Sequence, residues 1–241
     1  MSSSTAPTQE GGVRLVSGTA HVMQMDGTEG RTLFPSTEFS HWPPFETLAE
    51  RTMVGSGAPD PHPHTDQEVV NYVLSGTLLI YDETHRCTEV PTGSVSLLDT
   101  RRMQVHDVNP ASGTTAHWLA LVLHLPPGTA EPKRAHQIAP AAPLASLPSG
   151  VEGSSVVGLP GRVLSILGLE MWDVRFRESS EVVLPVPENR TALVYVLEGG
   201  ARAADRDLPR GGGLQAEGLP KLPVQGEPGS RLMYASVLRN P

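Results

Sequence analysis

The sequence predicts an all-β protein made of two similar halves, and three observations lead there. The apolar pieces are short, often β-branched, and punctuated by glycine or proline. Gly 24 and Pro 23 make up about a fifth of the 241 residues, high for a helical protein but below the level of a disordered one. A short pattern recurs: Asn71-Tyr72-Val73-Leu74-Ser75-Gly76 resembles Val194-Tyr195-Val196-Leu197-Glu198-Gly199.

In chain order, the first half offers strands at Val13–Val16, His21–Met25, Thr47–Val54, Glu68–Leu74, Thr77–Asp82, Val95–Leu98 and Ala116–Leu125. The second half offers Val163–Leu169, Glu170–Phe176, Ala192–Leu197, Leu214–Ala216 and Arg231–Leu238. Short strands with turns between them suggest a sandwich or barrel. Residues 1–12 are polar and read as a disordered tail. The proline-rich stretch Pro126–Leu147 can be neither one helix nor a central strand. These features divide the chain into a first domain over 13–130, a linker over 131–148 and a second domain over 149–241. Each copy of the repeat is followed by a Pro-x-Gly turn, Val90-Pro91-Thr92-Gly93 and Leu208-Pro209-Arg210-Gly211. The tyrosines are offset by 195 − 72 = 123 residues and the turn glycines by 211 − 93 = 118.

Composition narrows the function. The net charge is −8 and no basic stripe is present, which argues against a nucleic-acid surface. The one cysteine, Cys87, excludes an internal disulfide and a cysteine-based zinc site. No apolar run is long enough to cross a bilayer, and the start lacks an apolar signal core, so a cytoplasmic location is expected.

The stretch that carries chemistry is Pro61-His62-Pro63-His64-Thr65-Asp66-Gln67-Glu68. On one continuous strand, His62, His64, Asp66 and Glu68 would share a face. Imidazoles suit iron, copper, nickel or zinc, and a carboxylate can complete the shell. His106 follows two further expected strands and could return to the same wall. Of the other histidines, His41 reads as structural, and His117 and His124 as core histidines or, for one of them, a pocket residue; Tyr72 and Trp118 read as packing residues, either of which could line a substrate cavity, and Asp66 as a turn or rim residue.

The run from His62 to Gly76 resembles the first cupin motif in its pirin-like form: His-x-His, a glutamate after three more residues, then Tyr-Val-Leu-x-Gly. Val90-Pro91-Thr92-Gly93, with His106 thirteen residues after the glycine, resembles the second motif. Trp42-Pro43-Pro44-Phe45 is similar to the Gly-Pro-Phe segment upstream of it. The resemblance covers most of residues 40–125. It implies a bicupin, two tandem jelly-roll β-barrels, with one divalent metal in the N-terminal barrel. Iron(II) is the first expectation; nickel, copper, manganese and zinc are alternatives. The implied ligands are His62, His64 and His106.

This chain departs from the family at the fourth ligand. The carboxylate expected two residues after His106 is replaced by Val108, and Asp107 has the wrong strand parity. Glu68 is the expected substitute, because cupins in general use the first-motif glutamate. Asp99-Thr100-Arg101-Arg102-Met103-Gln104 stands where the family is glycine-rich, which places Arg101 and Arg102 at the barrel mouth as candidate contacts for an anionic substrate. In the second half, the offset of 123 brings His62 and His64 onto Pro185 and Pro187 and Glu68 onto Thr191, so no metal is expected there.

Three functions follow from the resemblance. The first is a metal-dependent dioxygenase acting on an enolic or aromatic small molecule, quercetinase-like, with Glu68 as base where it is not a firm ligand. The second is a non-redox cyclase or isomerase of secondary metabolism with little or no metal, in which Arg101, Arg102, His106 and Glu68 polarise a carbonyl or shuttle a proton. The third is a non-enzymatic metal-binding partner of a transcription factor. The expected assembly is a monomer or a homodimer.

Overall fold

The computed structural model describes residues 8–10, 13–25, 28–35, 43–54, 62–81, 86–100, 104–111, 113–129, 136–158 and 163–239. For residues 8–10, 13–14, 23–25, 28, 62–63 and 104–107 the backbone alone is described. Every regular element among them is a strand. In chain order these are β1 (Thr8–Glu10), β2 (Val13–Thr19), β3 (His21–Met25), β4 (Thr28–Phe34), β5 (Phe45–Val54), β6 (His62–His64), β7 (Gln67–Ser75) and β8 (Thr77–Tyr81). Then come β9 (Cys87–Pro91), β10 (Ser94–Asp99), β11 (Gln104–Pro110), β12 (Thr115–His124), β13 (His136–Pro140), β14 (Ala142–Pro143) and β15 (Val151–Val157). The remainder are β16 (Glu170–Phe176), β17 (Ser180–Pro185), β18 (Arg190–Glu198), β19 (Gly200–Ala203), β20 (Arg206–Pro209), β21 (Gly212–Glu217), β22 (Lys221–Gly226) and β23 (Arg231–Leu238).

Two compact units result, each with a large and a small sheet. One unit has the order β13-β10-β7-β12-β5-β4-β3 beside β6-β11-β8-β9. The other has β1-β2-β21-β18-β23-β16-β15-β14 beside β17-β22-β19-β20. The two orders match strand for strand through their centres, with β7 answering to β18 and β12 to β23. The offset read from the tyrosines holds for the whole strand: 190 − 67 = 123 and 198 − 75 = 123.

The division along the chain differs from the expected one. Residues up to Ala20 belong with the second-half unit, because β2 pairs along β21 and so extends the second large sheet. Part of the expected tail is ordered, since Thr8–Glu10 pairs with β2; its other residues, like Arg101 and Arg102, lie outside the described ones. The expected linker contains β13, an edge strand on β10, where its prolines cost no central ladder bond. Val163–Leu169, expected as a strand, is irregular, and Val163–Ile166 belongs to the first-half unit.

Each unit buries an apolar interior between its two sheets. In the first-half unit Met53, Val73, Ala116, Trp118 and Ala120 of the large sheet meet Leu78, Ile80, Val90 and Val108 of the small one. In the other, Val174, Phe176, Val194, Val196 and Tyr234 meet Val182, Leu184, Ala203, Leu208, Leu222 and Val224.

The repeated glycine has a steric cause. Gly76 has φ +78, and a Cβ there would lie 2.2 Å from the Thr115 carbonyl oxygen. Gly93 has φ +75, but a Cβ there meets nothing within 4 Å. Gly93→Ala is therefore expected to cost about 1–2 kcal/mol of left-handed strain. Gly76→Ala adds a backbone overlap and is expected to cost roughly 2–4 kcal/mol. Urea midpoints of the two variants check the order.

Candidate functional site

The site is set by which residues face the interior of the first-half barrel. On β7 the inward positions are Val69, Asn71 and Val73: Val73 packs in the interior, and Val69 clusters with Leu98 and Val122. Their partners on β12 are Val122, Ala120 and Trp118. On β11, Val108 is inward, so position 106 shares its face by strand alternation. The ladder between β11 and β6 pairs His106 with His62 and Gln104 with His64. Positions 62, 64, 104 and 106 thus share the face of Val108, and paired Cα atoms in such a ladder lie about 4.5–5.5 Å apart.

Glu68 does not share that face. β6 and β7 are separate strands in different sheets, broken at Thr65–Asp66, and Asp66 has φ 54. The Asp66 N–H donates to the Thr100 carbonyl (2.9 Å), and its own carbonyl accepts from Leu125 N–H (2.8 Å), so the break is held on both sides. After it, Gln67 and Val69 face inward and Glu68 outward. Glu68 is fully buried on the outer face of the large sheet, where its carboxylate accepts from Ser165 Oγ (2.5 Å) and from Ile166 N–H (2.7 Å). The expectation of one continuous strand through Glu68, and with it a shared ligand set, is corrected by this change of parity. Gln137 holds the same crossing segment by exchanging hydrogen bonds with Leu164, 2.9 Å from Nε2 and 3.1 Å to Oε1.

A chain of polar groups fixes His64. Its Nδ1 lies 2.6 Å from Gln67 Oε1, Gln67 Nε2 donates to Glu46 Oε2 at 2.5 Å, and Glu46 Oε1 lies 3.2 Å from His124 Nδ1. A carboxylate only accepts, so Glu46 fixes the amide nitrogen of Gln67 toward itself and the amide oxygen toward His64. That oxygen also only accepts, so Nδ1 of His64 carries the proton. In the neutral ring the lone pair is then on Nε2, the state needed for metal ligation, with a hydrogen-bonded partner orienting the ring. His124, expected as a core or pocket histidine, is the exposed end of this chain, and Gln67 and Glu46 were not singled out by sequence. His117 is structural as expected, 2.9 Å from buried Glu50.

Other polar groups line the same face. Asn71 and Ser96 are buried partners across β7 and β10, and Ser96 Oγ is 2.8 Å from His136 Nε2 on β13. Arg51 is the register partner of Trp118 and sits between Ala49 and Met53 on the inward face of β5. Burial pushes its guanidinium below the ordinary arginine value. Tyr72 and Trp118 are packed as expected, Tyr72 on the outer face and Trp118 inside. In the second-half barrel Arg190 and Ser236 share the inward parity of Val194 and Tyr234, and Arg190 Nε donates to Ser236 Oγ at 2.9 Å. Pro185, 123 residues after His62, has the opposite parity, since its neighbours Leu184 and Val186 pack in the interior; its backbone carbonyl accepts from the Tyr234 hydroxyl at 2.5 Å. Burial pushes that phenol up to about 12, so it remains a donor at neutral pH.

With this geometry in place, comparison with known proteins identifies the fold. A crystal structure of GK1651 from Geobacillus kaustophilus superposes with TM-score 0.78 at 24% identity, covering 95% of this chain and 98% of that one. The bacterial pirin YhhW of Escherichia coli, in complex with nickel(II), gives 0.75 at 14% identity over 93% of this chain and 99% of its own. This chain has the pirin-like bicupin fold. The sequence is also similar to a pirin-like protein of Solanum lycopersicum, 28% identical over 180 residues, 72% of this chain. The matched region spans 62% of that curated relative. A quercetin 2,3-dioxygenase of Acinetobacter baumannii shares the pirin-like fold with TM-score 0.76 at 15% identity, over 93% of this chain and 79% of its own. No family model matches the chain.

Two substitutions separate the roles of Gln67 and Glu68. Gln67→Leu is expected to weaken nickel(II) affinity roughly 10–100-fold with little loss of stability, read by competitive chelator titration. Glu68→Ala strips the acceptor from Ser165 and Ile166 and is expected to cost about 2–4 kcal/mol in urea unfolding while metal stoichiometry is unchanged.

Proposed function

We propose that the first-half barrel is the active site of a metal-dependent oxygenase acting on a small enolic aromatic, with the metal held by His62, His64 and His106. The observation that carries this reading is the pairing of His62 with His106, two residues from a His64 whose Nδ1 is fixed by Gln67. Three imidazoles fit a borderline divalent metal such as iron(II) or nickel(II). Val108 lies in the apolar interior and Glu68 on the outer face, so neither adds a carboxylate to that set. The nickel complex of YhhW and the dioxygenase sharing the fold support the class of metal and of reaction.

When bound, the metal would supply Lewis acidity toward the substrate's enolic oxygen and redox access to molecular oxygen. The residues of the chain do the rest. Gln67 keeps Nε2 of His64 available as a ligand atom. Leu98, Val122, Trp118 and Val108 give the chamber apolar walls that exclude water from the reacting end. Asn71 and Ser96 offer the polar contacts that orient a flat ligand. Glu68, bonded on the outer face, is unsuited to take a proton inside the barrel. The base is therefore sought among His136, next to Ser96, and the substrate's own ionised oxygen.

Metal analysis and oxygen uptake test this reading. Protein loaded with iron(II) or nickel(II) is expected to hold one metal per chain and to consume oxygen with quercetin as the trial substrate. His62→Ala with His64→Ala, or His106→Ala alone, is expected to abolish both while leaving the protein folded. A wild-type chain that binds neither metal when folded would refute the reading.

A further inference from the structure

We propose that Arg51 is the substrate anchor of this barrel, and that the substrate it selects carries an organic oxyanion, a carboxylate or an ionised enol. The inference rests on the reading of the barrel interior as a substrate chamber and adds the chemical class that chamber takes.

The position of Arg51 is set by its neighbours. It lies opposite Trp118 on β12 and opposite Gly30 on β4, and at i−2 and i+2 it is flanked by Ala49 and Met53. Trp118 and Met53 both belong to the apolar interior, so Arg51 is on the inward face of the large sheet. The small sheet bearing positions 62, 64 and 106 faces it across the interior, since Val73 and Trp118 pack against Ile80 and Val108.

Charge makes the position informative. Arg51 is half-buried and its guanidinium keeps its charge, and beside a low-dielectric wall a charge attracts an anion more strongly than in open water. Among the described residues the guanidinium of Arg51 has no ion pair, and partial burial lowers its pKa from the ordinary arginine value. The carboxylates nearby are turned away or engaged. Glu50, Glu68 and Asp99 stand on the outer face, and Glu46 at the rim is held by Gln67 and His124. Three neutral imidazoles around a divalent metal would add positive charge and no compensating anion. The wall at Arg51 is therefore cationic, and its complement is an anion.

A matched pair of probes isolates the charge: 2-naphthoate and its neutral amide, 2-naphthamide, followed by quenching of tryptophan fluorescence at pH 7.5. Full-length nickel-loaded protein and its chelated form are both titrated, which separates binding to Arg51 from binding to metal. The chelated wild type is expected to prefer the anion on the order of tenfold or more, the size of one charge-assisted hydrogen bond. Arg51→Met is expected to erase that preference while keeping nickel uptake and a melting temperature at or above wild type, because an unpaired charge is replaced by an apolar chain. Arg51→Lys is expected to keep part of the preference. Equal binding of the two probes would leave the chamber but overturn the anchor, as would an Arg51→Met variant that still prefers naphthoate. Binding of neither probe would overturn both. Since no turnover is read, an inactive oxygenase that still selects naphthoate through Arg51 would sink only the reaction assignment.

Discussion

The change of strand parity at Thr65–Asp66 is the constraint on which the site depends. A strand alternates its faces without exception, so a continuous run from His62 would carry Glu68 to the same side. The left-handed turn at Asp66, held by Thr100 and Leu125, resets the alternation. Positions 62 and 64 keep the inner face through their ladder with β11, and Gln67 follows them inward within hydrogen-bonding distance of His64. Glu68 is released to the outer face, where a buried carboxylate has to find donors and finds them on Ser165 and Ile166. One turn therefore decides both which positions share the inner face and which residue holds Ser165 and Ile166.

The two barrels show how little of a fold's topology belongs to its chemistry. Their sheets share strand order through the centre, and β7 and β18 have the same length at a constant offset. The contents differ. Where the first has histidines at the inward positions 62 and 64 of its small sheet, the described inward residues of β17 are Val182 and Leu184, both in the apolar core. The Tyr234 hydroxyl is satisfied locally by the Pro185 carbonyl. The second interior keeps Arg190 and Ser236 bonded to each other beside its apolar core, while the first keeps Asn71, Ser96, His64 and Arg51 on its walls.

Much of this was legible in the sequence, for reasons that can be named. Short β-branched runs and the Leu-x-Gly repeat marked the central strands, because buried strands need those side chains and the turns after them need a left-handed glycine. The His-x-His spacing marked the pair at 62 and 64. Other features were hidden because they depend on pairing rather than on local pattern. The membership of β2 in the second unit is a long-range ladder with β21, which Val13–Thr19 does not announce. The role of Glu68 turned on a single φ value at Asp66. Arg51 looks like any charged residue in Thr47–Val54 until Trp118 is known to stand opposite it, for both parities of that strand mix polar and apolar residues.

The buried arginines of the molecule place Arg51 in perspective. In the second-half unit Arg231 is clasped by both oxygens of Asp173, at 2.9 and 2.8 Å, and reaches Glu198 as well. Arg190 there donates to Ser236 Oγ, the Ser236 carbonyl and the Gly168 carbonyl. Each lies where structure demands a cation and each is supplied with acceptors, as burial of a guanidinium requires. Arg51 differs from both: it is half-buried, and among the described residues no carboxylate pairs with it. A guanidinium that keeps contact with solvent needs no acceptor from the fold, so its charge on the wall facing the small sheet stays open to an anionic ligand, whereas those of Arg190 and Arg231 are used up by the structure around them.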